Sequence, residues 1–137
     1  MGEIRTKVKL TNAVDDALVS MGQLAPEKVR SIEVEAIVDT GAIASVLPIH
    51  IVEQIGLLIR GHRVAKYADG RNDSVGVTTP ILFEIQNRNT IEEALVLGDE
   101  VLIGQTILEK LDLLADCAGR QLIPNPAHPN QPVLNVR

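Results

Sequence analysis

One acidic residue of this chain stands in a setting suited to chemistry. Asp39-Thr40-Gly41 follows the apolar run Ala36-Ile37-Val38 and leads into Ala42-Ile43. A carboxyl at the end of a buried strand loses solvation, so it must be hydrogen-bonded or held for proton transfer. The plainer alternative is an aspartate that caps a turn. The bare tripeptide arises by accident in roughly 3% of chains of this length, so it carries little alone. A second element adds weight: Val101-Leu102-Ile103-Gly104-Gln105-Thr106-Ile107-Leu108 reads as an apolar strand, a glycine and a short helix.

The other candidate groups are weaker. His50, His62 and His128 lack metal-ligand spacing, so no metal site is expected. Asp69-Gly70-Arg71-Asn72-Asp73 has two acids four apart but not the glutamate-terminated calcium loop, and reads as a turn. Asp15-Asp16 and Glu92-Glu93 read as solvated pairs and the histidines as solvated side chains. Ser45 has no accompanying His and Asp pattern, so serine chemistry has no support.

The elements that must position Asp39 follow from periodicity. Residues 3–10 alternate Ile4, Thr6, Val8, Leu10 against Glu3, Arg5, Lys7, Lys9, a strand with one wet face. Residues 11–26 carry Asn12, Asp15, Asp16, Gly22 and Pro26 and read as a loop or brief helical turn. A long β pattern over 28–38 runs straight into Asp39. Pro48 and Gly56 bracket a short helix over 48–55. Extended residues 63–67 and 75–79 flank Asp69-Gly70, a hairpin signal, and the polar hairpin should project. A second hairpin, 81–86 and 90–97, is expected to turn at Asn87-Arg88-Asn89. Residues 101–103 suit a buried strand, 104–110 a short helix, and 111–116 with 121–123 a closing pair. Four of the seven prolines (Pro124, Pro126, Pro129, Pro132) make the tail an extended arm, with pairing resuming only at 133–136. The division is a domain over 1–123 and an arm over 124–137.

Composition narrows the function classes. A chain of 137 residues that is 45% hydrophobic and 23% charged builds one globular domain with a real core. Tyr67 and Phe83 are the only aromatic residues, so the core is aliphatic and base stacking is excluded. Net charge −5 without a basic cluster disfavours nucleic acid. The chain has no long apolar run and a single cysteine, Cys117, which points away from membranes and to a reducing, cytoplasmic compartment. Met1-Gly2-Glu3-Ile4-Arg5-Thr6 formally fits a myristoylation pattern, but the segment reads better as strand.

In order and spacing, the Asp-Thr-Gly-Ala element, the polar hairpin and the Leu-Ile-Gly element resemble the retropepsin-like aspartic peptidases over residues 28–123, and the Pro124-Asn125-Pro126-Ala127-His128-Pro129 tail looks like that of small prokaryotic members. The resemblance implies an all-β fold, a small closed barrel-like retropepsin (acid protease) architecture with one or two short helices. It also implies a demand, because these enzymes place two carboxylates so close that they share a proton. One Asp-Thr-Gly per chain means that the dyad comes from two copies of Asp39 in a homodimer. Thr40 would bond across the dimer, and Gly41 would admit substrate backbone and offer it a carbonyl. Ala42 and Ile43 would line the site, and the 63–79 hairpin with Ala68, Asp69 and Gly70 at its tip would close over an extended peptide. An ordinary exposed hairpin, and simple packing of Tyr67, are the competing readings. Pocket walls of Ala42, Ile43, Val64 and Ile103 would favour apolar side chains beside the scissile bond.

Retroviral members carry an acid two residues after the triplet and an arginine directly after the downstream Gly, where this chain has Ile43 and Gln105. Losing both together leaves no orphan charge. The implied activity is an aspartic endopeptidase acting on peptide or protein substrates without cofactor, with residues 3–10 and 133–137 at or beside the dimer contact. Two rivals remain open: a catalytically silent peptide-binding or scaffolding module of the same fold, and a structural subunit docked through the arm.

Overall fold

The computed structural model describes residues 3–137; Met1 and Gly2, which open the myristoylation-like pattern, lie outside the described residues. Strand β1, Ile4–Asn12, buries Ile4, Val8 and Leu10, as the alternation predicts. It runs antiparallel to β2, Ser31–Val38, in a register that sets Lys7 opposite Glu35 and Lys9 opposite Glu33. On its other side Lys9 faces Glu84 of β6, Ile81–Ile85. Opposite charges on the wet face and aliphatics on the dry face fix this register, since a one-residue slip would invert both.

Residues 11–26 correct the sequence reading. Instead of a loop or a brief turn they hold helix α1, Ala13–Ser20. Asn12 is its N-cap, accepting from the Val14 and Asp15 amides at 3.0 and 3.1 Å and donating to the carbonyls of Ile55 and Gly56. The signal was present: Asn followed by acids in the first turn is a helix start. Asp15 is not solvated either. It is buried, and Arg30 holds it through Nε at 2.9 Å, Nη2 at 3.0 Å and its backbone amide. The Arg30 guanidinium holds the Asp15 carboxyl below the usual carboxylate range.

After β2 come β3, Val46–Leu47, and α2, Ile49–Gln54, then the hairpin β4, Ile59–Lys66, with β5, Asn72–Thr78. Both hairpin strands extend further than expected, so the arm that projects is longer. The second hairpin pairs β6 with β7, Arg88–Glu92, and turns on Gln86 and Asn87, both at positive φ, rather than on residues 87–89. Two left-handed residues in a two-residue loop match the strand twist. Arg88 therefore belongs to the strand and is buried.

The expected strand over 90–97 breaks at Glu93-Ala94, where the Ala94 amide is taken by the Thr78 hydroxyl at 3.1 Å. Beyond it β8, Leu95–Val96, leaves the hairpin to pair with β3 and β5. Strand β9, Leu102–Ile103, then runs parallel to the end of β2 and leads into α3, Gln105–Leu111. The nine-stranded sheet has the order β4-β5-β8-β3-β9-β2-β1-β6-β7 and curls as a half-barrel. Its core is aliphatic apart from the fully buried Phe83. Strands β10, Leu113–Asp116, and β11, Gln121–Pro124, form a separate pair.

The arm is fastened to the body through Asp112, the left-handed C-cap of α3. Its carboxylate accepts from Asn125 Nδ2 at 3.0 Å and the Val133 amide at 3.0 Å, and meets His128 Nδ1 at 2.6 Å. His128 is thus paired, which corrects its reading as solvated. Beneath this knot the Arg88 guanidinium donates to the carbonyls of Leu111, Asp112 and His128. Residues 133–136 make no ladder within the chain.

Hydrogen bonds from Asn125 and Val133, then His128, hold the Asp112 carboxyl below its ordinary range. A lowered carboxyl stabilises the docked arm at pH values above the ordinary aspartate value, about 3.9, and that contribution fades as pH falls through the lower folded value. We expect acidification below about pH 4 to release the arm before the body unfolds. The check is hydrogen exchange at the Val133 amide, and Asp112→Asn should show the same release at neutral pH.

Candidate active site

Asp39 leaves the end of β2 with its amide donating to the Ile103 carbonyl at 2.9 Å, which extends the parallel β2–β9 ladder by one residue. The side chain then folds back: Oδ1 accepts from the Gly41 amide at 3.1 Å, and the Asp39 carbonyl accepts from Ala42. Asp39 is half-buried, and Thr40 and Gly41 are exposed. Gly41 does not sit at positive φ, so its value is space; a Cβ there would lie 3.4 Å from Asp39 Oδ1.

Helix α3 fixes the loop over 39–45. Its first turn has amides with no partner inside the helix, and no side chain caps them. The loop supplies the acceptors: the Ala42 carbonyl takes the Gln105 amide at 2.8 Å, and the Ile43 carbonyl takes the Thr106 amide at 3.3 Å and the Thr106 hydroxyl at 3.0 Å. Ser45 Oγ accepts from the Gly104 amide at 2.9 Å, fully buried. Gly104 is pressed so hard on the loop that a Cβ would stand 2.6 Å from Ile43 O and from Ala44 C and O.

Ser45 is therefore structural. A lone hydroxyl inside the apolar run Ala42-Ile43-Ala44-Ser45-Val46-Leu47 was the signal, since buried hydroxyls need partners. We expect Ser45→Ala to cost about 1–3 kcal/mol, because it strands the buried Gly104 N–H. Urea denaturation measures this directly.

Opposite the loop stands the β4–β5 hairpin. Its tip closes with the Tyr67 amide on the Arg71 carbonyl, the Gly70 amide on the Tyr67 carbonyl, and Asp69 Oδ1 accepting from the Arg71 amide at 2.9 Å. Gly70, at φ +87°, takes the left-handed position that a tight turn requires. The Arg71 guanidinium stacks 4.5 Å above the Tyr67 ring and stiffens the tip. Ala68, Asp69 and Gly70 are all exposed.

Between loop and hairpin lies a groove of about 430 Å³ with Ile43, Ala44, Val64 and Val77 among its walls and the charged Arg63, Glu92 and Glu93 along them. Ile43 is 76% exposed and Val64 is 72% exposed. These are large apolar side chains left open to solvent in one concavity. Ile103, expected in the wall, is fully buried instead, because it carries the β9 ladder into the core. A larger concavity, about 550 Å³, lies between α3, β10 and the arm, away from the hairpin; Asp39 lines neither it nor the groove, which the Asp39 loop reaches through Ile43 and Ala44.

One reading of a charged residue needs correction here. Glu92 is not solvated: its side chain is 14% exposed, and it bonds Thr106 and pairs with Lys110. His50 on α2, His62 on β4 and His128 in the arm stand on different elements. Among the described residues, no helix is long and apolar enough to cross a membrane.

No family model matches the chain, and no curated protein matches it in sequence. In structure it is similar to the retroviral protease-like domain of Ddi1 from Leishmania major, with a TM-score of 0.55 over 98% of this chain and 92% of that one, at 15% identity. The fold is retropepsin-like: mostly β, curled as a half-barrel, with few short helices.

Proposed function

We propose that the chain is an aspartic endopeptidase that works as a homodimer. The observation that carries the reading is the placement of Asp39: a half-buried carboxyl at the end of β2 in a retropepsin-like half-barrel, on a loop held by α3 whose Ile43 and Ala44 border a partly apolar groove beside the β4–β5 hairpin. One such carboxyl per chain is half of a proton-sharing dyad, so two chains must face each other across a two-fold axis.

In the dimer one Asp39 is ionised and its counterpart is protonated, because like charges in contact cannot both ionise. The ionised carboxylate takes a proton from a water as that water's oxygen bonds to the scissile carbonyl carbon. The protonated Asp39 hydrogen-bonds the carbonyl oxygen as charge develops on it. Collapse of the tetrahedral species breaks the C–N bond and delivers a proton to the leaving amine. No metal or cofactor enters. Thr40, whose hydroxyl has no partner among the described residues, bonds across the axis. Gly41 gives the substrate backbone access, Ala42 and Ile43 line the approach, and the Ala68, Asp69 and Gly70 tip closes over the bound strand.

Residues 9–11 of β1 are laddered on both sides, so of the expected N-terminal contact only residues 4–8 of the strand keep an edge outside the β6 ladder. That edge and the unladdered 133–136 segment can both contribute to the contact with a second copy. The test is sedimentation equilibrium followed by digestion of a diverse peptide library from acid to neutral pH, read by mass spectrometry. The expected result is a dimer that cuts extended peptides between apolar side chains. A demonstrated dimer that cuts nothing overturns the reading.

A further inference from the structure

The loop over 39–45 is bonded by one side chain whose own partners are charged. Thr106 Oγ1 lies 3.0 Å from the Ile43 carbonyl and 2.6 Å from Glu92 Oε1. Lys110 Nζ sits 3.0 Å from Glu92 Oε2 and also donates to the Ile91 carbonyl at 3.3 Å. Glu92 Oε2 is sealed from solvent, with the Lys110 charge beside it and no well-aligned donor among the described residues. Each of these residues reaches the next from a different stretch of chain: Thr106 from the first turn of α3, Glu92 from the end of β7, and Lys110 from one turn further along α3.

A hydroxyl has one proton, so Thr106 reaches both acceptors through a three-centre bond. The shorter branch runs to the Glu92 carboxyl beside Lys110, and the longer one to the loop. The hydroxyl is thereby held in one rotamer, with its longer branch on the Ile43 carbonyl that the Thr106 amide also holds. Glu92 lines the same groove as Ile43. The node therefore ties the groove wall to the helix that bears on the Asp39 loop. Ile43 and Gln105 cannot pair through charge, so no ion pair between loop and helix does this work at those positions.

We propose that Thr106, held by Glu92 and Lys110, is the positioning residue for the Asp39 loop. The inference rests on the proposed peptidase reading for its effect on turnover, but its effect on loop order does not depend on that reading. Thr106→Val keeps the volume and removes the hydroxyl; Thr106→Ser restores it. Losing a hydrogen bond to a charged group should speed hydrogen exchange at the amides of 39–45 by about tenfold or more, with the amides of β6 unchanged. In the same dimer Thr106→Val should lower kcat by about tenfold while KM moves much less, because a misplaced carboxyl hurts the reaction more than peptide binding.

Thr106→Ser should return both readouts toward the native values, and Glu92→Gln, which keeps an acceptor oxygen but loses the charge, should raise loop exchange in the same direction by less. Native exchange in both Thr106→Val and Glu92→Gln would overturn the proposal. So would loop exchange that rises only together with β6, since that is general destabilisation. If Thr106→Val does not fold, the comparison of Glu92→Gln with Thr106→Ser decides. If the native dimer cleaves nothing, the exchange data still judge the positioning claim and the peptidase reading alone fails.

Discussion

Asp39→Asn abolishes peptide cleavage while the dimer persists: turnover falls by roughly 10³-fold or more, at the upper end of what a positioned acid–base group supplies. Asparagine matches aspartate in shape, and its Oδ1 can still accept the Gly41 amide that the native carboxylate holds at 3.1 Å. The loop thus keeps its form and only the proton chemistry is lost. An amide neither takes a proton from water nor shares one with a facing carboxyl. A mixed dimer with one native and one substituted chain should be inactive too, which distinguishes a shared dyad from two independent sites. Because one carboxyl must stay protonated, native activity should lie on the acid side of neutrality. Mass-spectrometric digestion and sedimentation on the same samples check both halves. Full activity in the asparagine variant would remove Asp39 from the chemistry.

Gly104→Ala is the largest expected effect on stability, about 3 kcal/mol or more in chemical denaturation, with cleavage lost alongside. The reason is contact rather than backbone freedom: Gly104 has φ −86°, open to any residue. Its added Cβ would meet Ile43 O and Ala44 C and O at 2.6 Å, all main-chain atoms of the loop that carries Asp39. No side chain can swing aside. Either α3 retreats, breaking the bonds from Gln105, Thr106 and Gly104 into the loop, or the loop moves and takes Asp39 with it. Gly61→Ala is the control, since a Cβ there meets nothing within 4 Å and φ is not positive; it should change stability by less than about 0.5 kcal/mol.

The sequence shows most clearly what depends on neighbours along the chain. The alternation in β1, the apolar run into Asp39, the Asp-Gly hairpin and the strand-glycine-helix at 101–110 are all local patterns, and each appears in the fold. Strands β3 and β8 are two residues long, too short for any period to register, and they exist because β9 and β5 lie beside them. The break between β7 and β8 has the same origin, in the Thr78 hydroxyl that captures the Ala94 amide.

Charged side chains fail for a related reason. Asp15 with Arg30 and Glu92 with Lys110 are ion pairs, and Asp112 with His128 a hydrogen-bonded pair, whose members are brought together by folding, and composition cannot say which groups will meet. The turn at Gln86 and Asn87 escaped because glutamine is rarely left-handed, and there the strand register overrides residue preference. At the site, the Asp39 motif was legible, while the Ser45, Gly104 and Thr106 contacts that hold its loop are long-range and were not.

The most direct test is a crystal structure of the assembled protein, read for the separation of the two Asp39 carboxyl groups. The account predicts a two-fold axis between them, with carboxyl oxygens of the two chains about 3 Å apart and within reach of one water. A stable assembly that leaves each Asp39 facing solvent, far from its counterpart, would contradict it.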